Sequence, residues 1–178
     1  MRAPGSTVLL VVGADSDTDG VLRGLDRLPN VRATSLRADD APTLRELLPS
    51  AQTTYVVHDQ DPLAHVASAW VEFFDDQASH GTLDVEIDQA IDSLRRGDTL
   101  LPDYYLVLEP ESIEGTWKHW WLGVLPHIAP SRVLPIRADV GAARQQLRRL
   151  PAGRPWPDPE RWLRDLRFTL PDRVGLLP

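Results

Sequence analysis

The chain has 178 residues, 42% of them hydrophobic and 25% charged, with a formal net charge of −7. That length and composition fit a single soluble globular domain, residues 1–178, able to bury a core without staples. The acidic balance argues against general nucleic-acid or membrane binding. The absence of cysteine excludes disulfides, thiolate zinc sites and cysteine nucleophiles, and with neither a signal sequence nor a membrane-length apolar run the expected location is cytoplasmic.

Short apolar runs alternate with amphipathic segments along the chain. Val8–Gly13 is apolar on both faces and reads as a buried strand. Asp17–Leu28 follows as a helix with Val21, Leu22, Leu25 and Leu28 on one stripe. Val31–Leu36 alternates as a strand near an edge would, and Asp40–Leu48 is a short helix with Pro42 near its first turn. Thr53–Val57 is a strand ended by HDQDP, and Leu63–Asp76 a helix with Val66, Trp70, Phe73 and Phe74 on its stripe. In Gly81–Asp98 a short strand at Leu83–Ile87 is expected to precede a helix through Ile87, Ile91 and Leu94. Strands at Tyr104–Leu108 and Val133–Ile136 flank a helix at Thr116–His127, and helices at Gly141–Leu150 and Trp162–Leu170 close the chain. The alternation predicts a three-layer αβα sandwich around a mostly parallel sheet of five or six strands, of flavodoxin-like or Rossmann-like kind.

In such folds ligands bind beyond the carboxyl ends of the strands. The residues to weigh are therefore Gly13 to Asp17, His58 to Asp61, Glu109 to Glu114 and Arg137 to Asp139. Asp15, Asp17, Asp59 and Asp61, joined by Glu109 as a further candidate, offer oxygen ligands suited to Mg²⁺, or they cap the helices that follow. His58, Asp59, Asp61 and His65 have the residue types of a transition-metal site, and His58 is a candidate general base. No GxSxG, GxGxxG or GxxxxGK[ST] motif is present. VVGADSD with the later YVVHDQDP is similar to the layout of Toprim nucleases, in which a glutamate follows the first strand and Asp-x-Asp a later one. Asp59 and Asp61 match the Asp-x-Asp, and Gly13 stands where the glutamate would be.

VLEPESIEGTW, followed by KHWWL and RVLPI, resembles the second half of TIR domains. There a strand ends in a Val-Leu-Ser-Pro-like turn, a helix begins Ser-x-Trp-Cys-x-x-Glu-Leu, and a Val-Ile-Pro-Val strand follows. IDQAIDSL resembles the preceding helix, and TYVVHDQDPLAHVASAWVEFF a TIR opening strand and helix, which would leave residues 1–50 as an N-terminal addition. In TIR enzymes that cleave NAD a glutamate of this helix is catalytic. Trp121 holds its place here, and indole offers neither a titrating proton near neutral pH nor a carboxylate. The resemblance implies a non-catalytic protein-interaction module of a bacterial signalling or defence assembly, without cofactor; Trp117, Trp120 and Trp121 are the expected contacts to a protein partner or a second copy, since tryptophan is enriched at the buried centres of interfaces. Those rings also follow a helix stripe that would pack on a sheet. The alternatives are a TIR-like NAD-processing hydrolase with Glu114 as a displaced acid, and a Mg²⁺-dependent nuclease using Asp59 and Asp61. The arginines from Arg144 to Arg167 make the carboxyl end basic, with Asp158, Glu160 and Asp165 as expected partners.

Overall fold

The computed structural model describes residues 5–38, 41–151, 153 and 156–169. The described residues pack as two compact units, one drawn from residues 5–60, 102–110 and 134–153, the other from residues 61–101, 111–133 and 156–169. The first unit is built on a sheet of β1 (Thr7–Val12), β2 (Val31–Ala33), β3 (Tyr55–His58), β4 (Tyr104–Leu108) and β5 (Val133–Ile136). All five strands run parallel, in the order β2-β3-β1-β4-β5. The α/β class and the five-stranded parallel sheet are thus as the alternation predicts. The order is not the flavodoxin-like 2-1-3-4-5, because β1 is flanked by β3 and β4 rather than by β2 and β3.

β1 is the middle strand, paired to β3 from Thr7↔Tyr55 and to β4 from Leu9↔Tyr104. Residues 7–12 therefore form the middle of the sheet and residues 31–33 one of its edges. This corrects the alignment that would set residues 1–50 aside as an addition. Leu9 and Val11 of β1, Val57 of β3 and Leu106 of β4 form one core with Val21, Leu22 and Leu25 of α1 (Asp15–Leu25) and with Ala143 and Leu147 of α7 (Val140–Leu147). Val8 and Leu10, on the opposite face of β1, are equally buried, as the apolar-on-both-faces pattern requires. Helices α1 and α7 meet closely at Gly24, where a Cβ would fall 2.2 Å from Cγ2 of Val140.

β2 is an edge strand, as its alternation predicts, but it stops at Ala33 rather than Leu36. One more ladder bond forms, from Thr34 N–H to the Val57 carbonyl, and then the Leu36 N–H turns to the Asp59 carboxylate instead. The helix α2 (Leu44–Ser50) begins with a capping box. Thr43 accepts from the Glu46 N–H while the Glu46 carboxylate accepts from the Thr43 N–H. Asp40, Arg154 and Leu170 lie outside the described residues.

The second unit is helical: α3 (Ala64–Phe74), α4 (His80–Arg96), α5 (Gly115–His119), α6 (Leu125–Ile128) and α8 (Pro159–Asp165). The strand expected at Leu83–Ile87 is instead part of α4. Leu83, Ile87 and Ile91 share a buried stripe at helical spacing, Ser79 caps the start, and Gly97 in left-handed conformation (φ 71°) ends it. Ion pairs tie α8 to α4, Arg95 to Glu160 at 2.5 Å and Arg164 to Asp88 at 3.1 Å. Between α5 and α6 the helix widens over Trp120–Val124 into a π turn, closed by a bond from Leu125 N–H to the Trp120 carbonyl. Pro126 is the physical cause at hand, since its ring cannot donate and would clash with the carbonyl four residues earlier. The widened turn buries five consecutive residues, Trp120 to Val124, which a regular helix cannot present to one layer. Among the described residues, no helix is long and apolar enough to cross a membrane.

Candidate functional site

The strand order reverses at β1 and β4: the chain leaves β1 toward the β2 edge and leaves β4 toward β5. The crevice beyond the carboxyl ends of such strands is where a ligand is expected. Gly13, the first residue after β1, lies flush with β4, where a Cβ would fall 2.8 Å from Cβ of Leu108. No acid fits at the place the Toprim layout reserves for its glutamate.

Asp59, one residue past β3, is buried to 4% exposure. Its Oδ2 accepts from the Ser35 hydroxyl at 2.7 Å and its Oδ1 from the Leu36 N–H at 2.8 Å. Arg37 donates from Nε to the Asp59 carbonyl at 3.2 Å and pairs through its guanidinium with Asp15 in the first turn of α1. Three strand ends are joined by this cluster, the ends of β1, β2 and β3. Asp59 acts as the brace that turns the chain out of β2. Sequence reasoning found Asp15 and Asp59 but missed Ser35, Leu36 and Arg37, because a lone arginine in a loop carries no spacing that names its partners.

His58 is buried to 1% exposure, and neither ring nitrogen makes a hydrogen bond of good geometry. Burial lowers its pKa to about 4, outweighing the Asp59 charge and a weaker pull from the Gln60 backbone, both of which favour the imidazolium. The ring is neutral near pH 7 and inaccessible to solvent. A general base needs access to the proton it takes, so His58 is better suited to a core role than to base catalysis.

Glu109, just past β4, adopts a left-handed conformation (φ 43°), an uncommon one for a residue with a side chain. Its N–H donates to the Ile136 carbonyl at 2.9 Å and its Oε1 accepts from Ala138 N–H at 2.6 Å, joining the ends of β4 and β5. Asp139 caps α7, accepting from Ala142 N–H at 2.7 Å, with Arg137 3.6 Å from its other oxygen. At the amino end of the sheet Asp103, also missed from sequence, is buried and accepts from Val8 N–H at 2.7 Å. A Cβ on Gly153 would fall 2.1 Å from that carboxylate.

The remaining candidates lie in the helical unit. Asp61 accepts from Leu63 N–H at 3.0 Å ahead of α3, and His65 is exposed on that helix. Among the described residues no group of three or more His, Asp or Glu side chains is placed to hold a metal ion. The structure does not gather the set Asp15, Asp59 and Asp61, nor His58 with His65, into such a group. Glu114 is exposed at the N-cap position of α5 and its side chain makes no capping bond; Glu111 is exposed in the turn before it. The three tryptophans separate. Trp120 has no exposed surface, Trp121 has 7%, and Trp117 has 37%. Trp120 packs against Trp70 with ring centroids 5.6 Å apart and edge-on to Trp121 at 6.5 Å. Trp120 and Trp121 thus belong to the core, as the helix-stripe reading expects, and Trp117 is the ring left at the surface. Comparison with protein-family models, curated proteins and solved structures finds no match.

Proposed function

We propose that this chain is a non-catalytic α/β module that works by contact with a protein partner. The observation that carries the reading is the engagement of Asp59, whose two carboxylate oxygens are spent on Ser35 and Leu36 at the sheet edge where chemistry is expected. Glu109 and Asp139 are engaged in the same way, by backbone N–H groups of the β5 end and of α7. Bonds from donors at other strand ends and helix starts orient these carboxylates within the fold and occupy part of their acceptor capacity. At the place of the TIR glutamate stands the buried indole of Trp121. A bacterial signalling or defence assembly is the setting that the TIR-like spacing proposes.

Purified protein incubated with NAD, and separately with DNA and RNA in Mg²⁺ or Mn²⁺, is expected to release no nicotinamide and cut no nucleic acid. Steady nicotinamide release abolished by Glu114→Ala overturns the reading. So does metal-dependent cleavage abolished by Asp59→Asn with Asp61→Asn.

A further inference from the structure

Arginines are paired with carboxylates in both units, Arg37 and Arg137 among them on the sheet unit. In the helical unit Arg95, Arg96, Arg164 and Arg167 are paired with Glu160, Asp98, Asp88 and Asp84. On the sheet unit Arg144, Arg148 and Arg149 have no carboxylate partner among the described residues. Gly141, Arg144, Gln145 and Arg148 recur at the three- and four-residue spacing of one helix stripe, opposite the buried Ala143 and Leu147. With Arg149 they line an open depression on the helix surface. The nearest acid on this helix, Asp139, is already committed to the Ala142 N–H and to Arg137.

We propose that this face of α7 is the docking surface for a short acidic segment of a partner protein; the inference rests on the reading of the chain as a binding module. Guanidinium forks bind carboxylates in pairs of parallel bonds. Arg144 and Arg148 are one helical turn apart, a rise of about 6 Å. Acidic residues one turn apart on a partner helix match that spacing, as do residues two apart on an extended strand at about 7 Å. Charge decides between an acidic peptide and nucleic acid. The sheet unit is close to balanced in charge and the helical unit is acidic. A long polyanion needs cationic surface along its whole length, and a chain of net charge −7 offers it only locally. A peptide of a few acidic residues needs one patch within a Debye length of about 10 Å.

The test uses the full chain and three fluorescent probes: a ten-residue Glu/Asp-rich peptide, its Gln/Asn counterpart, and a ten-nucleotide single strand. At about 50 mM salt the acidic peptide is expected to bind and the neutral one not. Arg144→Glu with Arg148→Glu is expected to weaken binding at least tenfold. The charge-matched pair Arg45→Glu with Arg161→Glu, at exposed positions on other helices, is expected to change it less than threefold. Circular dichroism melts confirm that both variants fold. No peptide binding, equal loss in both variants, or tighter binding of the oligonucleotide overturns the inference. Self-association of the chain that the Arg144/Arg148 variant abolishes, without peptide binding, also overturns it in favour of a second copy as occupant. Those failures leave the non-catalytic reading standing, whereas NAD or nucleic-acid turnover removes that reading whatever the peptide does.

Discussion

Lowering the pH from 7 to 5 should destabilise this protein through His58. The imidazole is neutral when folded, with a pKa near 4 set by burial, and returns to about 6.5 in the unfolded chain. Between those values the unfolded state holds the extra proton, so stability rises with pH in this window and falls as the solution is acidified. At pH 5 the unfolded imidazole is almost fully protonated and the folded one almost neutral. The linkage over these two pH units amounts to about 2 kcal/mol, approaching about 3 kcal/mol at pH 4. The assay is urea unfolding of the wild type and of His58→Phe at pH 7 and pH 5. Comparing the change with pH, rather than stability itself, removes any packing cost of the phenyl ring. The wild type is expected to lose about 2 kcal/mol more than the variant over that interval. Equal losses, or an imidazole that titrates near 6.5 by NMR in the folded protein, would refute the reasoning.

Gly24→Ala places a methyl group against Val140 and should cost about 1–3 kcal/mol in urea unfolding; Val140→Ala in the same chain should restore part of it, and additive losses would deny the contact. Asp59→Ala leaves the Leu36 N–H buried without its acceptor and should cost about 2 kcal/mol, read as a lower urea midpoint at unchanged slope. Trp120→Ala should cost about 3–5 kcal/mol, and Trp117→Ala less than about 1 kcal/mol. Comparable losses by thermal melting would place both rings in the same environment.

The elements that could be read locally were those whose residues also decide the outcome locally. TVLLVV and YYLVL are buried strands because both of their faces are apolar. Tyr104–Leu108 and Val133–Ile136 stand at their expected bounds. In HGTLDVEIDQAIDSLRR, by contrast, the alternation around Leu83 to Ile87 imitates a strand, while the cap at Ser79 and the stripe to Ile91 make one helix of it. The strand order was not legible, since nothing in Val31–Ala33 or Tyr55–His58 states which of them lies against β1. The same limit applies to the site. Asp15, Asp59 and Glu109 could be placed at strand ends from sequence. Their partners Arg37, Ser35 and the Ala138 N–H come from other strand ends, joined only by folding. Trp121 could be placed on a helix stripe from sequence, but its burial depends on the π turn before Pro126.

The central claim is that the acids at the sheet's carboxyl edge brace the fold rather than hold a reactant. It is tested most directly by calorimetric titration of Mg²⁺, Mn²⁺ and NAD into the wild type, with Asp59→Asn alongside. No saturable binding of any of the three is expected, together with a lower unfolding midpoint for the variant. Saturable binding to the wild type that Asp59→Asn abolishes, with stability unchanged, would contradict the account.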